Sequence, residues 1–155
     1  MDIRFQMAQE SDQKTIRKLL QEVKLPTESV DKGTTTFCVV KQDSSIVGIA
    51  GYEFYGDDAL LRSVAVLPLL QSQGVGSKVF DHMLSVARER RIRRIVLLTE
   101  TAQKFFERKG FKMVDRSAIT NQLMLQSSEF TVACPKSAVC MVLELAVQDR
   151  LKEFL

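Results

Sequence analysis

The stretch LLQSQGVGSKVF, Leu69–Phe80, sets two of the chain's seven glycines two residues apart, where a polar turn runs into an apolar-periodic segment. Val75, Val79, Met83 and Val86 recur at helical spacing and Phe80 and Ala87 widen the stripe, so a helix is predicted from Gly74. The first turn of a helix leaves N–H groups without intrahelical partners, and with the positive end of the dipole these donors form an anion site. Gly74 and Gly76 let the backbone approach an anion where a Cβ would obstruct it, and Ser72 and Ser77 add hydroxyl donors. A glycine-containing connection into an amphipathic helix uses the same residues, so the short motif by itself leaves both readings open. It is not a Walker loop, because the Gly-Lys-Ser/Thr ending is missing. Nor is it a full G-x-G-x-x-G, because Val79 stands at the third glycine position.

Working outward, Ile3–Ala8 alternates and predicts a first strand. A helix follows with Ser11 or Asp12 as N-cap and Ile16, Leu19, Leu20 and Val23 on one face, stopped by Pro26. Thr34–Gln42 is rich in β-branched residues and predicts a strand. Turns at Asp43–Ser45 and Gly56–Asp58 lead through IVGIAGYEFYG and ALLRSVAVL, an antiparallel meander. Beyond the glycine turn, the helix ends in an arginine cluster, and Ile95–Thr99 is the continuous apolar run of a strand buried on both faces. A short helix in TAQKFFERKG closes on Gly110 as its C′ residue. FKMVD predicts a strand, 117–131 has helical character around NQLMLQSSEF, Ser137–Leu145 predicts the last strand, and the tail AVQDRLKEFL a short helix. The order β-α-β-β-β-α-β-α-β-β is α+β with mixed pairing. The helix between strands 4 and 5 lets those two run parallel.

A chain of 155 residues accommodates one domain, 1–155, with a core that needs neither metal nor disulfide. Cys38, Cys134 and Cys140 are an odd number, the last two are spaced C-x5-C without a zinc signature, and His82 is the only histidine. No metal is expected, and the thiols are expected to be buried. The net charge of +3 is too small to argue for nucleic acid. Its positive part is concentrated in RERRIRR, Arg88–Arg94, which suits either the negative end of a helix or an anionic partner. Runs such as IVLL from Ile95 fall far short of the ~20 residues of a membrane span, and the opening MDIRFQMAQESDQ is mixed and polar. A cytoplasmic protein with no membrane or nucleic-acid partner is expected.

QSQGVG resembles the Q/R-x-x-G-x-G/A motif of the GNAT (Gcn5-related N-acetyltransferase) superfamily, and it follows the strand LLRSVAV as it does there. TAQKFFERKGF resembles the same family's A-x-x-F-Y-x-x-x-G-F segment. LLTETAQKFFERKGFKMVDR is similar to the amino-acid acetyltransferases, including the acetyltransferase domain of N-acetylglutamate synthase. ALLRSVAVLP and EFTVACPKSAVCM resemble small GNAT proteins of bacterial arsenic-resistance operons. The resemblance implies a mixed central sheet of six to seven strands with helices on both faces and strands 4 and 5 splayed. It implies acetyl-CoA as co-substrate, a small amine as acceptor and direct attack in a ternary complex. Dimers are common in the superfamily.

By the same resemblance, Gln71, Ser72, Gln73, Gly74, Val75, Gly76 and Ser77 hold the pyrophosphate. The backbone of Val64, Ala65 and Val66 pairs with the pantetheine, Val66 polarises the thioester, and Phe105 lies against the cofactor. Phe106 stands where many members carry a tyrosine as general acid, so Tyr52 and Tyr55 become the substitutes to place. His82 is expected to be structural. Glu53, flanked by Tyr52, Phe54 and Tyr55, is the candidate base acting through water, with Glu100 the other carboxylate near the expected site. Arg62 sits in an apolar strand, where a cation needs a partner. That partner is Glu53, directly opposite if the turn is Asp57-Asp58 and displaced if it is Gly56-Asp57, or the carboxylate of an amino-acid-like substrate. A peptide acetyltransferase, a non-catalytic acetyl-CoA-binding module and an arsenical binder using Cys134 and Cys140 remain as alternatives.

Overall fold

The computed structural model describes residues 3–67, 74–133 and 137–145. Seven strands hydrogen-bond in the order β1-β2-β3-β4-β5-β7-β6, flanked by helices. They are β1 (Ile3–Met7), β2 (Thr36–Gln42), β3 (Ser45–Tyr55), β4 (Asp58–Val66), β5 (Arg94–Thr99), β6 (Lys112–Val114) and β7 (Val139–Glu144). The helices are α1 (Gln13–Glu22), α2 (Glu28–Lys32), α3 (Val75–Glu89), α4 (Gln103–Arg108) and α5 (Gln122–Leu125). The mixed α+β sheet expected from the residue pattern is the one observed. The predicted tail helix lies outside the described residues. Among the described residues, no helix is long and apolar enough to cross a membrane.

The chain divides into two compact units, Met1–Glu53 with Ser63–Val86 and Phe54–Arg62 with Ala87–Leu155. In the first, β1, β2 and β3 form an antiparallel meander with Phe5 against Val40 and Val39 against Ile49. Helix α1 contributes Ile16, Leu19 and Leu20, a stripe at i, i+3, i+4, to a core with Val30, Phe37, Val39, Ile49 and Ala65. Each such buried aliphatic side chain contributes about 1.5–3 kcal/mol. Helix α3 buries Val75, Val79, Phe80 and Met83 here, and Ala87 in the second unit, five of the six predicted stripe residues.

In the second unit, β5 is a run of buried residues, Ile95–Leu98, between two neighbours. It runs antiparallel to β7 over its whole length, from Arg94 against Glu144 to Thr99 against Val139. Its parallel ladder with β4 covers only Asp58–Leu60 against Arg94–Val96. Leu61 and Arg62 continue β4 beyond that ladder. The second core gathers Leu60, Val96, Leu98, Ile119, Met124, Ala138 and Cys140. Of the predicted cation cluster, Arg93 and Arg94 turn to the hairpin that enters β4. Arg93 donates its N–H to the Asp57 carbonyl at 2.7 Å, and Arg94 lies 3.5 Å from the Asp58 carboxylate. Arg90 covers the Phe54 ring at 4.2 Å.

Helices α1, α3 and α4 end alike. After α4, Phe111 N–H bonds the Phe106 carbonyl and Gly110 N–H that of Glu107, with Gly110 at φ 98° and the Phe106 and Phe111 rings 5.3 Å apart. This is the Schellman arrangement, with its left-handed C′ residue and its apolar contact. Helix α3 closes in the same way, Ile92 N–H to Ala87 and Arg91 N–H to Arg88, but its C′ residue is Arg91 at φ 59°. Helix α1 uses Lys24 at φ 61° and so stops before Pro26, the residue expected to end it. The short helix α2, which the sequence pattern does not announce, then fills the interval before β2.

Strand β4 carries a different irregularity. Ser63 adopts φ 57° in mid-strand, after the continuous buried run Ala59–Arg62 and before the exposed Val64. A left-handed residue inserted in this way has the character of a β-bulge.

These conformations have measurable consequences. Arg91→Gly removes a left-handed penalty of about 1 kcal/mol, and a higher urea midpoint with an unchanged slope is expected. Strand propensity favours valine over glycine, whereas the Ser63 backbone reverses that order. Ser63→Val is expected to lose about 1–3 kcal/mol and Ser63→Gly to stay within about 1 kcal/mol of the parent. A more stable valine variant would contradict the bulge.

Burial also raises the Cys38 and Cys140 thiols, each to about 11, the latter against a lowering influence from Arg116. The folded chain therefore keeps protons that the unfolded chain gives up. Stability is expected to fall as pH rises from about 8.5 toward about 11. Urea titrations across that window should show a shallower fall for Cys38→Ala than for the parent, and parallel slopes would exclude this thiol as a cause.

Candidate functional site

The glycine turn and β4 carry most of the residues singled out by the sequence. Gly74 takes φ 76° immediately before α3, and its carbonyl accepts the Lys78 N–H at 3.3 Å. A Cβ added there meets nothing within 4 Å, so the left-handed backbone, and not crowding, is what calls for glycine. Val75 turns into the core at 1% exposure, while Gly76 and Ser77 are half-buried in the first turn. No acidic residue occupies that turn, so the helix carries no carboxylate of its own against the positive end of its dipole. Gln71, Ser72 and Gln73 lie outside the described residues.

Past the Ser63 bulge, Val64 is 39% exposed and Ala65 and Val66 are buried. The segment runs close over β3. The Leu67 N–H bonds the Val47 carbonyl at 2.9 Å, and a Cβ on Gly48 would stand 3.2 Å from the Ala65 carbonyl oxygen. Gly48 thus sets the closeness of approach at Ala65, a role the sequence pattern did not single out.

Glu53 is buried at 4% exposure near the end of β3, and its Oε2 accepts the Thr35 hydroxyl at 3.1 Å. Arg62 is buried at 3%; its Nη1 donates to Ser128 Oγ at 3.0 Å, and its Nη2 lies 3.4 Å from Glu129 Oε1. The turn between β3 and β4 is Gly56-Asp57, with Gly56 at φ 68°. This is the register in which Glu53 and Arg62 are not direct cross-strand partners. An ion-pair partner that the sequence reading missed is Glu129. It opens a five-residue turn of π-helix, Glu129–Ala133, and is itself buried. Ser127 braces this turn, its carbonyl accepting both the Thr131 N–H at 3.0 Å and the Thr131 hydroxyl at 2.8 Å. The only signal in the sequence was that a buried arginine needs an acid, and nothing in SSEF distinguished this one.

The remaining candidates separate by environment. The Tyr52 hydroxyl donates to the Met83 carbonyl at 2.9 Å, and burial pushes its pKa far above the usual phenol range. That placement removes Tyr52 from the substitutes for a general acid. Tyr55 packs at the edge of the second core, where its carbonyl accepts Asn121 Nδ2 at 2.8 Å. Phe106 is buried between Phe105 and Phe111, edge-on to both, and Lys109 Nζ lies 5.6 Å from the half-buried Phe105 ring. His82 stacks on Phe5 at 5.3 Å, a packing role as expected. Glu100 is exposed and accepts the Ser137 hydroxyl. Cys140 is a buried thiol, and Cys134 lies outside the described residues.

Comparison with known proteins places this geometry. A family model described as an acetyltransferase (GNAT) domain matches residues 33–113. An amino-acid acetyltransferase of Mycobacterium tuberculosis is 32% identical over 82 residues, 51% of this chain and 47% of that protein. The chain thus spans about half the length of that curated relative. Among solved structures, N-acetylglutamate synthase from Neisseria gonorrhoeae, complexed with coenzyme A and N-acetyl-glutamate, superposes with a TM-score of 0.79 at 19% identity. The match covers 94% of this chain and 36% of that one. Rv2747 from Mycobacterium tuberculosis, in complex with CoA, gives 0.77 at 23% identity over 92% of this chain and 99% of that one. At those identities the solved structures speak for the fold, and the family model, which takes in just over half of the residues, speaks for descent: the chain belongs to the GNAT acetyltransferase family.

Proposed function

We propose that the chain is an acetyl-CoA-dependent N-acetyltransferase working as a single domain on the amine of an amino acid or amino-acid-like small molecule. The observation that carries the acceptor class is Arg62, a guanidinium built into the middle of β4, one residue before the bulge. A planar fork of donors matches a carboxylate better than any other common group on a small amine. The matched relative named as an amino-acid acetyltransferase supports the same class. Resemblance to arsenic-resistance GNAT proteins extends it to an amino-acid-like arsenical.

In the reaction the amine nitrogen attacks the thioester carbonyl carbon, a C–N bond forms, the C–S bond breaks and the CoA sulfur leaves as thiolate. An alkyl ammonium with a pKa near ~10 must first lose a proton. Glu53, its carboxylate steadied by Thr35, takes that proton through a water molecule. The backbone N–H of Val66 faces the developing oxyanion, and an oriented donor there contributes about 3 kcal/mol. Val64 and Ala65 pair with the pantetheine arm, and the short β4–β5 ladder leaves β4 backbone available for it. Gln71, Ser72, Gln73, Gly74, Val75, Gly76 and Ser77 take the pyrophosphate, with Phe105 against the cofactor. A thiol of pKa ~8.5 leaves without strong acid assistance, consistent with phenylalanine at 106.

The test is thiol release from acetyl-CoA with L-glutamate, L-glutamine, phosphinothricin, an amino-acid-like arsenical and a lysine peptide. Turnover of at least one amino acid or analogue, with the peptide at background, is expected. Peptide turnover alone would move the acceptor class to proteins, and no turnover with any amine would favour a binding module. Arg62→Lys should raise the acceptor KM about tenfold or more while leaving the acetyl-CoA KM within about threefold; equal effects on both would remove Arg62 from acceptor binding. Glu53→Gln should lower kcat by about 10²-fold or more.

A further inference from the structure

The Arg62 guanidinium has a side-chain exposure of 1%, so a dissolved substrate carboxylate does not reach it with the chain as it stands. Among the contacts described for it are those of Ser128 and Glu129, consecutive residues that engage its two terminal nitrogens. A carboxylate presents two acceptor oxygens to the same two nitrogens from one rigid group. Glu129 makes the weaker version of that contact. Its oxygen stands 3.4 Å from Nη2, where charge-assisted N–H···O bonds close to about 2.7–2.9 Å. The residue is carried on a π-helical turn, a helix form that is rare and is frequent at functional sites.

On these grounds we infer that Glu129 is a built-in stand-in for the substrate carboxylate: the turn at 127–131 closes over Arg62 when the acceptor is absent, and an α-carboxylate displaces it to form a bidentate pair with Arg62. This inference rests on the proposed acceptor class. It adds that the carboxylate subsite exists within β4 in masked form, and that acceptor affinity is set by competition with the chain's own acid. Breaking a buried ion pair by removing one member is costly, whereas exchanging one carboxylate for another is not. The displaced Glu129 becomes hydrated as the ligand takes its place.

L-glutamine and L-glutaminamide test this directly, because they share the amine and side chain and differ only in the α-carboxylate. With wild-type protein and saturating CoA, L-glutamine is expected to speed amide hydrogen exchange at 127–131 about fivefold or more, and L-glutaminamide to leave it unchanged. Glu129→Gln, which keeps the shape and removes the competing charge, is expected to tighten L-glutamine binding about tenfold and leave acetyl-CoA affinity as it was. A thermal melt establishes that this variant folds. If it does not, Ser128→Ala, which removes the other acceptor, takes its place with the same direction of change. Exchange indifferent to L-glutamine, or equal L-glutamine affinity in parent and variant, would overturn the inference even where amino acids are turned over. Absence of thiol release with every amine, alongside glutamine-dependent exchange, would sink the proposed reaction and leave the carboxylate subsite standing.

Discussion

A cation in the middle of an apolar strand is the constraint around which one half of this chain is organised. Arg62 is carried into β4 by covalent necessity, between Leu61 and Ser63, and its desolvation is unfavourable by several kcal/mol unless acceptors are brought to it. The chain supplies Ser128 and Glu129 from a segment 66 residues later, so the turn at 127–131 owes its position to a charge. Ser127 fixes the turn from inside by binding Thr131 twice, and Met124 anchors the preceding helix in the second core. The polar demand of one strand residue thus determines the course of a segment that hydrophobic periodicity alone leaves undetermined.

Strand β4 departs from regularity in a second way. Its parallel pairing with β5 stops at Leu60, and three residues further on Ser63 turns left-handed. A regular strand would have put Arg62 and Val64 on the same face. The bulge instead buries the first and exposes the second. Gly48 keeps the segment close to β3 at Ala65, where any larger side chain would press on the carbonyl oxygen.

Much of this was legible in the residues and some was not, for physical reasons that differ. The buried run of β5 and the stripe of α3 follow from burial, which acts on residue type directly; in β1 the strand was legible, but its alternation fails at Gln6 and Met7, where the polar residue is half-buried and the apolar one exposed. Helix ends were legible where glycine marks them, as at Gly110, and missed where Lys24 or Arg91 takes the left-handed position at a cost. Pro26 pointed to the wrong stop because the chain had already turned at Lys24. The hairpin register hung on a single residue, since Gly56-Asp57 and Asp57-Asp58 are both acceptable turns, and the choice falls to the one that puts glycine at φ 68°. The cofactor motif and the Phe105-Phe106 segment carried the family in plain view. Thr35, Ser128 and Glu129 did not, because partnership across 18 to 67 positions leaves no local trace.

The distribution of strain argues that the Arg62 neighbourhood serves more than folding. A hydrophobic replacement of a buried ion pair is often neutral or stabilising, so stability alone gives no reason to keep Arg62 with Glu129. The same holds for a serine at φ 57° inside a strand, where glycine would relieve the backbone, and for a π-helical turn where an α-turn would bond better. Lys24 and Arg91 are left-handed as well, but each is the residue that closes a helix. At β4 the departures coincide: the bulge adjoins the buried cation in sequence, and the π-turn supplies that cation's carboxylate. Costs that folding does not require, gathered on neighbouring residues, are what the acceptor role proposed for Arg62 would account for.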